Sequence, residues 1–134
     1  MLQPLFIFSE FGLLFLRVAL GGILLAHGFP KIRNLKATAG NFASMGFKPG
    51  MFWGGMAAAI EFIGGLLLIA GFLTQVVAFF VTVQFLVIIL KVRRGQKLVG
   101  GYELDLLILA AASLLLTTGG GVYSLENYFQ FWLY

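Results

Sequence analysis

Four stretches of the chain are apolar for long enough to cross a lipid bilayer, and the polar residues gather between them. A bilayer core of roughly 30 Å needs about 20 apolar residues in a helix. The first stretch runs over about residues 7–28 and is interrupted only by Ser9, Glu10 and Arg17. The second covers about 51–72, with Glu61 as its one charge. The third covers about 75–90, with Gln84 inside it, and the fourth about 104–118, followed by Gly119-Gly120-Gly121. The connection Gly71-Phe72-Leu73-Thr74-Gln75 is short and uncharged, so the second and third spans form a hairpin. The connection after the first span is longer. Ile32, Leu35, Ala39 and Phe42 recur in it at three- and four-residue steps, while Lys31 and Lys36 lie off that stripe. This pattern predicts a short amphipathic helix over about 31–44, lying in the membrane interface. The expected fold is therefore an all-α integral membrane protein: one domain over 1–134, an antiparallel four-helix bundle with one interfacial helix between its first two spans.

Composition agrees with lipid as the solvent. Of the 134 residues 60% are hydrophobic and 10% are charged, against about 25% charged in a soluble domain. The absence of Cys removes disulfides, thiolate metal sites and thiol redox relays, and a single His removes a bis-His haem within one chain. No metal site is expected. The N-terminal MLQPLFIFSEFG lacks the basic segment of a signal peptide and is expected to lead directly into the first span. SLENYFQ near the C-terminus is read as native sequence.

The formal charge of +4 carries topology, not a nucleic-acid site. Lys31, Arg33, Lys36 and Lys48 lie between the first two spans, and Lys91, Arg93, Arg94 and Lys97 between the last two or at their edge. Alternate connections of a four-span protein share one side of the membrane. The positive-inside rule then makes segments 29–50 and 91–103 cytoplasmic and puts both termini outside. Tyr123, Tyr128, Trp132 and Tyr134 after the fourth span, and Trp53 at the start of the second, read as interfacial aromatic belts.

The ninth basic residue, Arg17, lies inside a span, as does Glu61. A charge at mid-helix costs at least about 2.5 kcal/mol, so such residues turn toward the bundle and find partners. Counted from Gly28 and Met51 as helix ends, the two charges fall at nearly one depth, about 15–16 Å in at 1.5 Å per residue. A buried Arg17–Glu61 ion pair is expected. Small residues allow close helix approach on both faces: Gly21 and Gly28 beside Arg17, and Gly54, Ala57, Ala58 and Gly65 around Glu61. At the basic mouth, His27 and Lys31 end the first span while Tyr102, Glu103 and Asp105 begin the fourth. His27 is the side chain able to change charge between pH 5 and 8, with Glu103 or Asp105 as its proton partner. Glu103 and Asp105 point about 200° apart on a helix, so only one faces the bundle. Gln84 is expected to make an interhelical hydrogen bond, and Gln75 is a weaker candidate. GGILLAHG (21–28) is echoed by GGLLLIAG (64–71), which reads as convergent glycine-mediated packing. No catalytic signature such as HExxH or GxSxG is present.

LRVALGGILLAHGFPKI (16–32), AAIEFIGGLLLIAGFLT (58–74), GGYELDLLIL (100–109) and GGGVYSLENY (119–128) together resemble the DoxX family of four-span bacterial membrane proteins, in order and spacing over nearly the whole chain. The resemblance implies a four-helix membrane bundle in a bacterial inner membrane, associated with redox metabolism. Relatives are described as subunits of a thiosulfate:quinone oxidoreductase, as quinol-oxidase-like proteins, and as membrane partners of detoxifying redox enzymes. It carries the family's polar and glycine positions onto Arg17, His27, Gly28, Lys31, Glu61, Gly64, Gly65, Gly71 and Glu103.

Three functions follow as expectations. The first is a redox subunit, with no cofactor of its own, that binds a quinone or other small apolar ligand near Arg17 and Glu61. Glu61 would accept a proton, and His27 and Glu103 would link it to the cytoplasm. The second is a small proton-coupled transporter, although the one-sided charge argues against a dual-topology dimer. The third is a scaffold that docks another enzyme on its basic face. Few spans are available to enclose a substrate, so a homo-oligomer or a partner redox protein is expected beside the lipid bilayer.

Overall fold

A computed structural model describes residues 8–121 and Ser124. It is an all-α bundle of four long helices with one short helix laid across it. α1 is Ser9–Arg33, α2 Leu35–Ser44, α3 Gly50–Ala70, α4 Thr74–Val87 and α5 Glu103–Thr118. α4 continues as a widened π-type turn over Ile88–Val92, and α5 has an irregular lead-in, Leu98–Tyr102, kinked at Val99 and Gly100. With those extensions, four helices are long and apolar enough to cross a membrane. The aromatic cluster Tyr123, Tyr128, Trp132 and Tyr134 lies outside the described residues, as does SLENYFQ apart from Ser124.

α1 runs 25 residues, about 37 Å at 1.5 Å per residue, longer than a bilayer core. It does not stop at Gly28 but carries Lys31 and Arg33 in its last turn, where cations suit the helix dipole. Asn34 breaks it and starts α2: its backbone leaves the helical region, and its side chain accepts a hydrogen bond from the Ala37 N–H at 3.1 Å. Thr38 Oγ1 donates to the carbonyls of Lys31 and Asn34 at 3.2 and 3.0 Å and pins the corner. Lys31 and Ile32 therefore belong to α1, and α2 is shorter than the stripe suggested. α2 packs firmly on α3, with Thr38 buried against Gly54 and the Ala39 carbonyl directly over Gly50.

The most extensive seam joins α1 and α3, and it is made by backbone. A Cβ on Gly21 would stand 2.7 Å from the Gly65 carbonyl oxygen, and one on Gly65 2.7 Å from the Gly21 oxygen. One on Gly28 would stand 2.6 Å from the Phe62 nitrogen. Only hydrogen fits there, the small-residue mode of transmembrane packing. Gly64 faces the side chain of Val77 on α4. α4 and α5 form a second extensive seam, while α1 and α5 touch sparsely. The core between the four helices contains Leu20, Leu24, Leu68, Val81, Ala112 and Leu115.

The α3–α4 turn is tight. Gly71 takes a left-handed φ of 77°, and Phe72 N–H returns to the Leu67 carbonyl at 2.9 Å, a Schellman closure that needs glycine at this place. Leu73 is also left-handed, at φ 55°, a conformation that costs a non-glycine residue roughly 1–2 kcal/mol.

These contacts give a graded expectation. Gly28→Ala and Gly65→Ala should each lower stability in detergent by about 1–3 kcal/mol through overpacking. Gly12→Ala and Gly55→Ala, with open space at the Cβ position, should be neutral or stabilising by up to about 1 kcal/mol. Thermal unfolding followed by circular dichroism checks both halves, and equal losses at all four positions would contradict the seam.

Candidate functional site

Glu61 sits on α3 at 2% exposure, level with Gly28 of α1. Its two oxygens are held from two other helices. Lys31 Nζ of α1 donates to Oε1 at 2.7 Å, and Gln84 Nε2 of α4 donates to Oε2 at 2.7 Å. The carboxylate fixes the Gln84 amide, since only its NH₂ edge can face an acceptor. Lys31 keeps a partly exposed side chain, at 28%, and reaches back toward the His27 carbonyl at 3.5 Å. Three helices thus converge on one buried charge.

The expected Arg17–Glu61 pair is not formed. Arg17, at 1% exposure, donates from its NH1 to the Gly120 carbonyl at 2.7 Å, and its guanidinium lies against Gly71 at the opposite end of α3. Two physical causes separate the charges. Gly28 packs level with Glu61 rather than with Met51, so Arg17 lies about 16 Å away along α1. In addition, helical side chains lean toward their own N-terminus. α1 and α3 are antiparallel, so Arg17 leans toward the charge-poor end and Glu61 toward the basic end. Arg17 instead ties α1 to the glycine loop after α5, where Gly119 and Gly121 take positive φ.

The mouth is also arranged differently from the sequence expectation. Glu103 is exposed and accepts a long local hydrogen bond from the Gly100 N–H, 3.4 Å. It does not join His27. Asp105 is the acid that turns inward: it is buried and pairs with Arg93 Nε at 2.9 Å. Arg93 follows the π-type turn of α4, which its N–H closes on the Ile88 carbonyl at 2.9 Å, and π-type bulges often place functional side chains. His27 is exposed on α1. Gln75 bridges α4 to the Leu116 carbonyl of α5 at 2.9 Å, far from this group.

A cavity of about 620 Å³ joins these polar groups. Trp53, Met56 and Ile60 of α3, Phe80 and Val83 of α4 and Ile108 of α5 supply apolar wall. His27, Lys31, Glu61 and Gln84 line it as one polar group, and Arg93 with Asp105 as another. Its volume suits a drug-sized molecule, and an apolar chamber with a few placed polar groups is the usual form of a small-molecule site. Phe79 and Phe80, which also line it, are about half exposed on α4. Phe42 and Phe47, from α2 and the following loop, close the basic end, and Lys91 Nζ stands 4.5 Å over the Phe47 ring, a cation–π contact. Among the described residues no group of His, Asp and Glu is placed to hold a metal ion.

Lys31, Gln84 and Asp105 were visible as polar residues, but their pairings were not. The signal that would have found the Lys31–Glu61 pair is glycine register. With Gly21 seated between Gly65 and Ile69, Gly28 falls beside Glu61 and Phe62, and Lys31 follows one turn further on.

Two comparisons bear on this geometry. The family model described as DoxX matches residues 12–94, which include Lys31, Glu61 and Gln84. A protein of Bacillus subtilis (strain 168) named "Putative oxidoreductase CatD" is 32% identical over 119 residues, covering 89% of this chain and 87% of that protein. No solved structure matches.

A double-mutant cycle separates the two charge assignments. Lys31→Met and Glu61→Gln should couple by about 0.5–3 kcal/mol in unfolding free energy, as contacting residues do. Arg17→Met and Glu61→Gln should be additive within about 0.5 kcal/mol. Coupling of Arg17 to Glu61 of the size expected for Lys31 would contradict the arrangement.

Proposed function

The chain belongs to the DoxX family, and from that premise we propose that it is the membrane subunit of a redox system that takes a quinone-like molecule from the bilayer into the chamber beside Glu61. The observation that carries this reading is one buried carboxylate, held by Lys31 and Gln84, at the wall of an aromatic-lined cavity whose Phe79 and Phe80 are half exposed on α4. A quinone ring is flat, apolar on its faces and polar at two opposed oxygens. Trp53 and Phe80 offer stacking surface, and stacked rings gain about 0.5–1.5 kcal/mol beyond burial. The Lys31 ammonium has three donors. One is given to Glu61, which leaves donor capacity for a carbonyl oxygen.

Reduction of a quinone consumes protons as well as electrons. Glu61 is the group placed to hold a proton next to the ring, with His27 on the same chamber wall. The chain has no thiol, so electrons come from a partner redox protein. The basic end, which the positive-inside bias assigns to the cytoplasm, is where that partner docks. The name of the Bacillus subtilis relative supports a redox role.

Trp53 reports on the chamber. In a Trp132→Phe background it is the remaining tryptophan, and a short-chain ubiquinone analogue should quench it saturably in proteoliposomes. Glu61→Gln or Gln84→Leu should weaken the apparent affinity by about tenfold, the value of one hydrogen bond to a charged group. Quenching that rises linearly with quinone and is the same in all variants would remove the proposal.

A further inference from the structure

A second cavity, of about 400 Å³, lies on the α2 side of Lys31. It is lined by Lys31, Thr38, Asn41, Phe42, Ser44 and Met45. Lys31, Phe42 and Met45 also line the larger chamber, so these three side chains stand between the two spaces. Lys31 is the polar member of that partition. The two cavities differ in chemistry. The larger one is walled mainly by aromatic and aliphatic side chains. The smaller one is bordered by a hydroxyl of α2 (Ser44), an amide (Asn41) and an ammonium. A space of this size with several polar partners is suited to water. Asn41 and Ser44 are exposed, so it opens at the basic end of the molecule.

We propose that this second cavity is an aqueous vestibule, and that Lys31 is the residue that exchanges protons between it and Glu61. The inference rests on the ligand site proposed above and deepens it, because it says how that site is supplied with protons. The Lys31 ammonium touches Glu61 at 2.7 Å on one side and lines the vestibule on the other. When the ligand takes a proton from the Glu61 carboxyl, Glu61 is left as a carboxylate. Lys31 passes one proton across that contact and becomes a neutral amine, and vestibule water returns a proton to the amine, its hydroxide leaving to the bulk water at the open end. Charge and protons balance, and no other group has to move. The other titratable groups facing the larger chamber are His27 of α1, Asp105 of α5 and Arg93 after α4. None of these three lines the vestibule. An apolar ligand thus arrives from the lipid side and a proton from the water side, with Glu61 reached by both.

Amine reactivity tests this in the intact protein. A water-soluble acetylating reagent attacks only the neutral amine, so the rate at Lys31 reports its proton loss to an aqueous space. Lys36, Lys48 and Lys97 serve as exposed references, read by peptide mass spectrometry in proteoliposomes. Lys31 should react, and Ser44→Phe or Asn41→Phe, each filling the vestibule, should slow it by about tenfold or more relative to Lys36 and Lys97. Phe79→Leu, on the far wall of the chamber, should leave it unchanged. A Lys31 that stays unmodified while the reference lysines react would overturn the proposal, as would a rate indifferent to both vestibule variants. Circular dichroism of each variant guards against unfolding. Trp53 quenching by the quinone analogue, measured on Asn41→Phe and wild type, keeps the two readings apart. In wild type, lost quenching with a reactive Lys31 removes the ligand, and intact quenching with an unreactive Lys31 removes the vestibule; in Asn41→Phe, a slowed Lys31 with quenching kept is the expected result.

Discussion

A carboxylate carried into the middle of an apolar bundle has no water to solvate it, and its charge must be answered by the protein itself. Glu61 meets that requirement with a cation from α1 and an amide from α4. Both partners come from helices other than its own, so the requirement fixes the relative positions of three helices. The glycine seam follows from it. Lys31 reaches Glu61 because α1 and α3 approach at backbone distance at Gly28, and a larger residue there would push the ammonium away. The widened end of α4 follows as well, since that helix must deliver Gln84 to the carboxylate and still bring Arg93 to Asp105.

The two intramembrane charges named by the sequence serve unlike ends. Arg17 is fully enclosed and spends a donor on the backbone of the Gly119–Gly121 loop, so it fastens the end of the chain after α5 to α1. Glu61 borders a space. A group whose neighbours are all protein holds parts together, and a group that borders a cavity can also meet a molecule that is not protein. That difference, rather than burial or charge, makes one end of the bundle the candidate site.

Much of this is legible in the sequence. Apolar run length and the clustering of Lys and Arg specify four spans and a membrane bundle, because the hydrocarbon thickness sets helix length and desolvation sets where charge is tolerated. Depth was not legible in the same way. Counting from assumed helix ends failed because α1 extends through Pro30 to Arg33, and an error of one turn displaces a charge by about 5 Å. The glycines carry the finer information, since a contact that admits only hydrogen has one register. The choice between Glu103 and Asp105 was beyond the sequence. It depends on where the turn after α4 sends Arg93, and the irregular backbone at Val99 and Gly100 has no periodicity to read.

The α1–α3 seam has a mechanical consequence. Backbone against backbone leaves no side chain to repack, and close-packed surfaces of this kind do not deform gradually. α1 and α3, with α2 laid on them, form one closely packed plate, and α4 with α5 form a second. The plates are joined at Gly71–Leu73, by Gly64 against Val77 and by Arg17 to Gly120, and meet sparsely along the α1–α5 edge. The large chamber is lined from both, and the Gln84 amide crosses from the second to Glu61 on the first. Lys31 and Glu61 lie on the same plate, so their contact does not depend on how far the two plates stand apart, whereas that of Gln84 does.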